Sequence, residues 1–179
     1  KNILKTKKKF LELKKDYRNG KIPLLVSFEK DYKFDYSNRL IRILKKKKYI
    51  IFVGMGGSIL GVKALYSFLR QKIKKNFFFQ DNLNEKNILK FNSKKFNKSA
   101  FVFISKSGNT IETIANLNLI IQNKKKNNTN VFITENTNNA ITMIANKLKA
   151  EIVEHKNFIG GRYSIMSEAG MLPAELMNL

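Results

Sequence analysis

Cysteine is absent from the 179 residues, and histidine occurs once, at His155. Without cysteine there is no disulfide framework, no thiol nucleophile and no thiolate metal ligand. A single imidazole excludes multi-histidine zinc sites, and a serine triad would have to be built around His155 itself. Long apolar runs are missing too: none approaches the ~20 residues of a bilayer span, and no signal-peptide pattern opens the chain. A soluble, cytoplasmic protein is expected, and no cofactor. A chain of this length buries roughly 70% of the surface its unfolded form exposes, so it needs no metal or disulfide staple.

Acidic residues are scarce, 13 against 35 lysines and arginines, for a net charge of +22. Arginine is scarce as well, confined to Arg18, Arg39, Arg42, Arg70 and Arg162. Lysine, asparagine, isoleucine and phenylalanine, all encoded by A/T-rich codons, are abundant. Coding bias therefore explains the charge better than contact with DNA, for which arginine is the better phosphate and base ligand. No nucleic-acid or membrane partner is expected, although a basic surface steers small anionic substrates inward.

Residues 1–19 set Ile3, Leu4, Phe10, Leu11, Leu13 and Tyr17 at helical spacing among lysines, and Asn19-Gly20 marks a stop. An irregular aromatic stretch follows to Tyr36, after which Ser37 can cap a short helix carrying Leu40, Ile41, Ile43 and Leu44. From Tyr49 short apolar runs take over, at 49–53, 77–79, 100–104, 131–133 and 151–153. Helical candidates lie between them at 59–72, 84–90, 110–122 and 138–149, with another at 168–177. Continuous apolar strands alternating with helices predict an α/β fold, a doubly wound parallel sheet in an αβα sandwich, preceded by N-terminal helices. The polar tract at 123–130 reads as a low-complexity loop. The expected division is an N-terminal helical segment at 1–45 and the α/β domain at 46–179. The chain begins without methionine and stops inside a helical pattern, so a piece of a longer protein is expected.

In such sheets ligands bind beyond the carboxyl ends of the strands, where strand order reverses. The first strand runs into Gly54-Met55-Gly56-Gly57-Ser58 and then a helix. Glycines permit close approach of backbone to a ligand, and a helix start offers free N–H groups to an anion. Ile59 stands where the last glycine of a dinucleotide-binding G-x-G-x-x-G would be, and the pattern is not a P-loop. A tight turn with a serine cap explains this segment equally well. The third strand ends in Ser105-Lys106-Ser107-Gly108-Asn109-Thr110-Ile111-Glu112-Thr113, which places hydroxyls, a lysine and a glycine at a strand-to-helix junction. Those are the donors a phosphate needs. Capping by Asn109 or Thr110, with Glu112 in the first turn, accounts for part of the pattern but not for serines on both sides of the lysine. After the last strand, a Gly160-Gly161 turn can aim Arg162 into the same cleft to stabilise a developing oxyanion. The alternative for Arg162 is an exposed ion pair, for instance with Glu154. His155 is expected at the surface, at a strand edge.

Gly56-Gly57-Ser58-x-x-Gly61, the 105–113 segment and Gly160-Gly161-Arg162-Tyr163-Ser164 occur in one order. Together they resemble the first sugar-isomerase (SIS) domain of the glucose-6-phosphate isomerase family, over about residues 46–179. The resemblance implies part of an intramolecular oxidoreductase that interconverts glucose 6-phosphate and fructose 6-phosphate through a cis-enediolate, in glycolysis and gluconeogenesis. It implies that Ser105, Lys106, Ser107 and Thr110 hold the 6-phosphate, with Gly57 and Ser58 against the substrate. Arg162 would stand beside C1–C2 and stabilise the enediolate. The family's base glutamate, ring-opening histidine and C-terminal lysine come after the matched region, and His155 does not match that histidine. An isomerase piece inactive by itself, and a homodimer when complete, are therefore expected. Neither Glu168 nor Glu175 is assigned as the base. The alternative is a non-catalytic sugar-phosphate-binding module, against which residues 1–45 offer no helix-turn-helix pattern.

Overall fold

The computed structural model describes residues 2–91, 93–122 and 128–179. The chain divides into two compact units, Lys1–Lys33 and Phe34–Leu179. In the first, helix α1 (Asn2–Arg18) carries its apolar residues Ile3, Leu4, Phe10, Leu11, Leu13 and Tyr17 exposed, and none of its residues is buried. A short 3-10 turn, Pro23–Phe28, follows within the stretch read as irregular.

The second unit opens with α2 (Asn38–Lys45), where the Ser37 hydroxyl accepts from the Leu40 N–H at 3.1 Å and caps the helix. Five strands follow: β1 (Ile50–Gly54), β2 (Phe77–Gln80), β3 (Ala100–Ile104), β4 (Thr129–Thr134) and β5 (Glu151–Glu154). All pair in parallel, in the order β2-β1-β3-β4-β5. The intervening helices are α3 (Gly57–Phe68), α4 (Glu85–Lys90), α5 (Ile111–Gln122) and α6 (Ala140–Lys147), with α7 (Glu168–Leu176) after β5. The helix expected at 59–72 ends earlier, at Phe68. Arg70 to Lys72 form a separate 3-10 turn, where the Arg70 guanidinium donates to the Ile73 carbonyl at 2.7 Å. Of the polar loop expected at 123–130, residues 123–127 lie outside the described residues, and Thr129 and Asn130 belong to β4.

Alternate strand residues serve two separate cores. Ile50, Phe52, Val102, Ile104, Ile133 and Val153 pack with residues of α2, α3 and α7. Ile51, Val53, Phe101, Phe103 and Phe132 pack with residues of α4, α5 and α6. Because both faces are covered, the central strands β1 and β3 carry no polar side chain, and each fully buried large apolar side chain contributes roughly 1.5–3 kcal/mol. The order reverses between β1 and β3, which pair Gly54 with Ile104 at their carboxyl ends. No described helix is long and apolar enough to cross a membrane.

Candidate functional site

A cleft of about 520 Å³ opens at this reversal point. Met55, Gly57 and Ser58 line it from the loop after β1, and Lys106, Ser107 and Thr110 from the loop after β3. Glu135 enters from the end of β4, and Gly161 and Arg162 from the turn after β5. Six of the candidate residues named from sequence thus meet in one place. Ser105 does not line the cleft: it is 1% exposed, and its hydroxyl donates to Thr110 Oγ1 at 3.0 Å. A hydroxyl that accepts one bond keeps its own proton to donate, so Ser105 leaves the Thr110 O–H for the cleft.

The loop after β3 is braced from the side. Asn109 does not cap α5; its Oδ1 accepts from the N–H of Ala140 at 3.1 Å, the first residue of α6. The Gly108 carbonyl accepts from the N–H of Ile141, also at 3.1 Å. Gly108 has φ of +66°, and a side chain there would fall on Asn139, the cap of α6. Only glycine meets both conditions without strain. The N–H groups of Ile111, Glu112 and Thr113 find no acceptor among the described residues. They are the free donors and the positive end of α5, and that helix starts beside Thr110 in the cleft.

The β1 loop and the Arg162 turn are packed backbone to backbone. A Cβ on Gly57 would fall on the Gly161 carbonyl oxygen and lie 3.1 Å from Arg162 Cα. The turn itself is a 3-10 segment, Gly161–Met166. Lys106 Nζ donates to the Asn157 carbonyl at 2.9 Å and lies 3.3 Å from Glu135 Oε1. Among the described residues the cleft lining therefore holds two cations, Lys106 and Arg162, and one carboxylate. Glu154, the alternative partner for Arg162, pairs with Lys156.

Met55, Glu135 and Gly161 were not among the sequence candidates. For Glu135 a signal exists: it follows the apolar run 131–133 by two residues, at the carboxyl end of a strand. The expectation for His155 is corrected. It does follow the edge strand β5, but it is 0% exposed because the turn after β5 folds over it. Its Nδ1 lies 3.1 Å from the Lys156 carbonyl and its Nε2 3.0 Å from Ser164 Oγ. Burial holds its pKa below the ordinary imidazole value, against the raising effect of the Lys156 carbonyl. Glu168 is buried away from the cleft and accepts from the Asp35 N–H at 3.3 Å. Among the described residues no three His, Asp or Glu side chains are grouped to hold a metal ion.

Residues 40–178 match the family model of phosphoglucose isomerase. The glucose-6-phosphate isomerase of Borreliella afzelii is 32% identical over 139 residues, covering 72% of this chain and 26% of that protein. The glucose-6-phosphate isomerase of Methanocaldococcus jannaschii is 32% identical over 149 residues, covering 80% of this chain and 36% of that protein. A crystal structure of a hypothetical protein from Thermus thermophilus shares the fold, with a TM-score of 0.69 at 22% identity over 89% of this chain and 39% of that one. The chain thus spans between 26% and 36% of the length of these two curated relatives. Since the matched residues take in every loop that lines the cleft, the chain belongs to the phosphoglucose isomerase family.

Proposed function

We propose that this chain supplies the phosphate cradle and the oxyanion-stabilising arginine of an isomerase that interconverts glucose 6-phosphate and fructose 6-phosphate. The observation that carries this reading is the convergence of the β3 loop and Arg162 in one cleft at the reversal of strand order. Ser107, Thr110 and the first-turn amides of α5 donate to the phosphate, with Lys106 adding charge. Gly57 and Ser58 lie against the sugar, and Ser105 acts through Thr110. In the reaction a base takes the C2 proton and the electron pair forms a C1–C2 double bond. The C1 carbonyl oxygen then carries the negative charge, which Arg162 stabilises. Return of the proton to C1, as the C2 hydroxyl becomes a carbonyl, gives the ketose.

Glu135 is the carboxylate of the described cleft lining, and it is held against Lys106. With Glu135 Oε1 turned to Lys106 and the chain spanning 26% to 36% of these relatives' length, the proton-transferring group is assigned to another part of the complete protein. Residues 46–179 serve as its first sugar-isomerase domain. Cytoplasmic location and a homodimer when complete belong to the same reading and rest on family membership alone. A non-catalytic sugar-phosphate module is not favoured, because the family that matches is an isomerase family.

The test is a glucose 6-phosphate titration run beside deuterium incorporation at C2 in heavy water, followed by NMR. Binding without exchange is expected. A folded chain that binds nothing would leave a kinship of fold alone. Exchange that disappears in Glu135→Gln would instead make Glu135 the base.

A further inference from the structure

His155 takes no part in the chemistry above and does not line the cleft, yet it is the sole imidazole and fully buried. Its contacts form a chain that ends at the arginine turn. The His155 N–H donates to the Thr134 carbonyl at 2.8 Å, which ties it to β4. A carbonyl can only accept, so Nδ1 carries the proton toward Lys156, and the neutral ring leaves Nε2 as a second acceptor, beside the Gly161 carbonyl, for the one hydroxyl proton of Ser164. Ser164 Oγ lies 3.0 Å from that nitrogen and 2.8 Å from the Gly161 carbonyl, so its one proton is shared in a three-centre bond that links the imidazole to the residue before Arg162. Among the described residues the Arg162 guanidinium makes no hydrogen bond or ion pair. Its direction is therefore set by the backbone that carries it.

We propose that His155 is a positioning residue for Arg162, acting through Ser164 to hold the Gly160–Ser164 turn against the cleft. The identity of the ligand rests on the proposed function; the hold on the turn does not. A histidine that merely filled space would be replaceable by phenylalanine, which has similar bulk and no polar atoms. A histidine that holds the turn is replaceable by glutamine, whose amide can donate on one side and accept on the other.

The experiment compares His155→Phe, His155→Gln, Ser164→Ala and the double variant His155→Phe/Ser164→Ala in the whole chain. Hydrogen exchange at the Arg162 and Tyr163 amides is read without ligand. Affinity is read for inorganic phosphate and for 5-phosphoarabinonate, whose carboxylate stands where the enediolate charge develops. His155→Phe and Ser164→Ala are each expected to speed exchange at the turn and to weaken 5-phosphoarabinonate binding about tenfold, the size of one hydrogen bond. The double variant should lose no more than either single one, because both break the same link. Inorganic phosphate, held by the β3 loop, should bind unchanged, and His155→Gln should behave as wild type. Unchanged exchange in both single variants would overturn the proposal, as would losses that multiply in the double variant or fall equally on inorganic phosphate. If His155→Phe does not fold, Ser164→Ala decides alone. Faster exchange in a chain whose wild type binds neither ligand would support the hold on the turn while sinking the isomerase reading.

Discussion

The carbonyl oxygen of Gly161 occupies the space in which a side chain at Gly57 would begin. One methyl group at Gly57 must therefore push the arginine turn off the start of α3. Gly57→Ala is expected to destabilise the fold by about 1–3 kcal/mol, the usual cost of overpacking. Sugar-phosphate binding should fall with it. Gly161→Ala is the control, since a Cβ there meets nothing within 4 Å. Its urea midpoint should correspond to a change of no more than about 0.5 kcal/mol. Equal midpoints for the two variants would mean that the two loops are not in contact.

Ser105 and Ser107 should separate in their effects although they flank the same lysine. Ser107 faces the cleft, so Ser107→Ala is expected to weaken glucose 6-phosphate binding by about 1.5–3 kcal/mol, as for a hydrogen bond to a charged group. Ser105 is buried, and removing its hydroxyl takes away the donor to Thr110. Ser105→Ala should lower stability by about 1 kcal/mol and affect binding less. Calorimetric titration beside thermal melting distinguishes the two. The reverse ranking would place the ligand on Ser105.

Glu135 puts a negative charge into a cleft read as a phosphate site. Its partner Lys106 is then shared between a carboxylate and the incoming anion. Glu135→Gln removes the competitor, and inorganic phosphate should bind several-fold more tightly at low salt. The gain should fade in ~1 M salt, where the Debye length shrinks to about 3 Å. Weaker binding in Glu135→Gln would show that the carboxylate is needed to place Lys106.

The pH dependence of stability has a definite sign at His155. Burial holds its folded pKa below 6.5, so the unfolded chain takes up this proton first as pH falls. The contribution of the neutral imidazole is complete above 6.5 and declines as pH drops through that value toward the folded pKa. Denaturation midpoints between about pH 8 and 5 should decline more steeply in wild type than in His155→Gln. Parallel profiles would mean that the imidazole titrates as it does in water.

The fold was legible because its two-sided burial leaves a direct trace. Strands such as Ala100–Ile104, covered on both faces, are apolar at every position, and the helices between them are separated by turn residues. The two loops and Arg162 were legible because glycines, hydroxyls and an arginine stood where strands end. What was not legible depends on which strand lies beside which. Asn109 looked like the cap of its own helix, but β4 pairs with β3 and brings the start of α6 within its reach. Glu135 enters the cleft for the same reason. His155 follows an edge strand, and only the fold of the chain beyond it decides that the ring is covered.

The bonds that tie Gly108 and Asn109 to the first turn of α6 have a consequence for the speed and thermodynamics of binding. A free loop would have to be ordered by its ligand, at a cost of about 1–2 kcal/mol for each backbone residue fixed. Here the neighbouring helix has already done that ordering as part of folding. Under the proposed function an arriving phosphate would meet a cradle already ordered, and nearly all of the charge-assisted bonding would appear as affinity. Association then needs no rearrangement and is governed by diffusion toward a strongly basic surface.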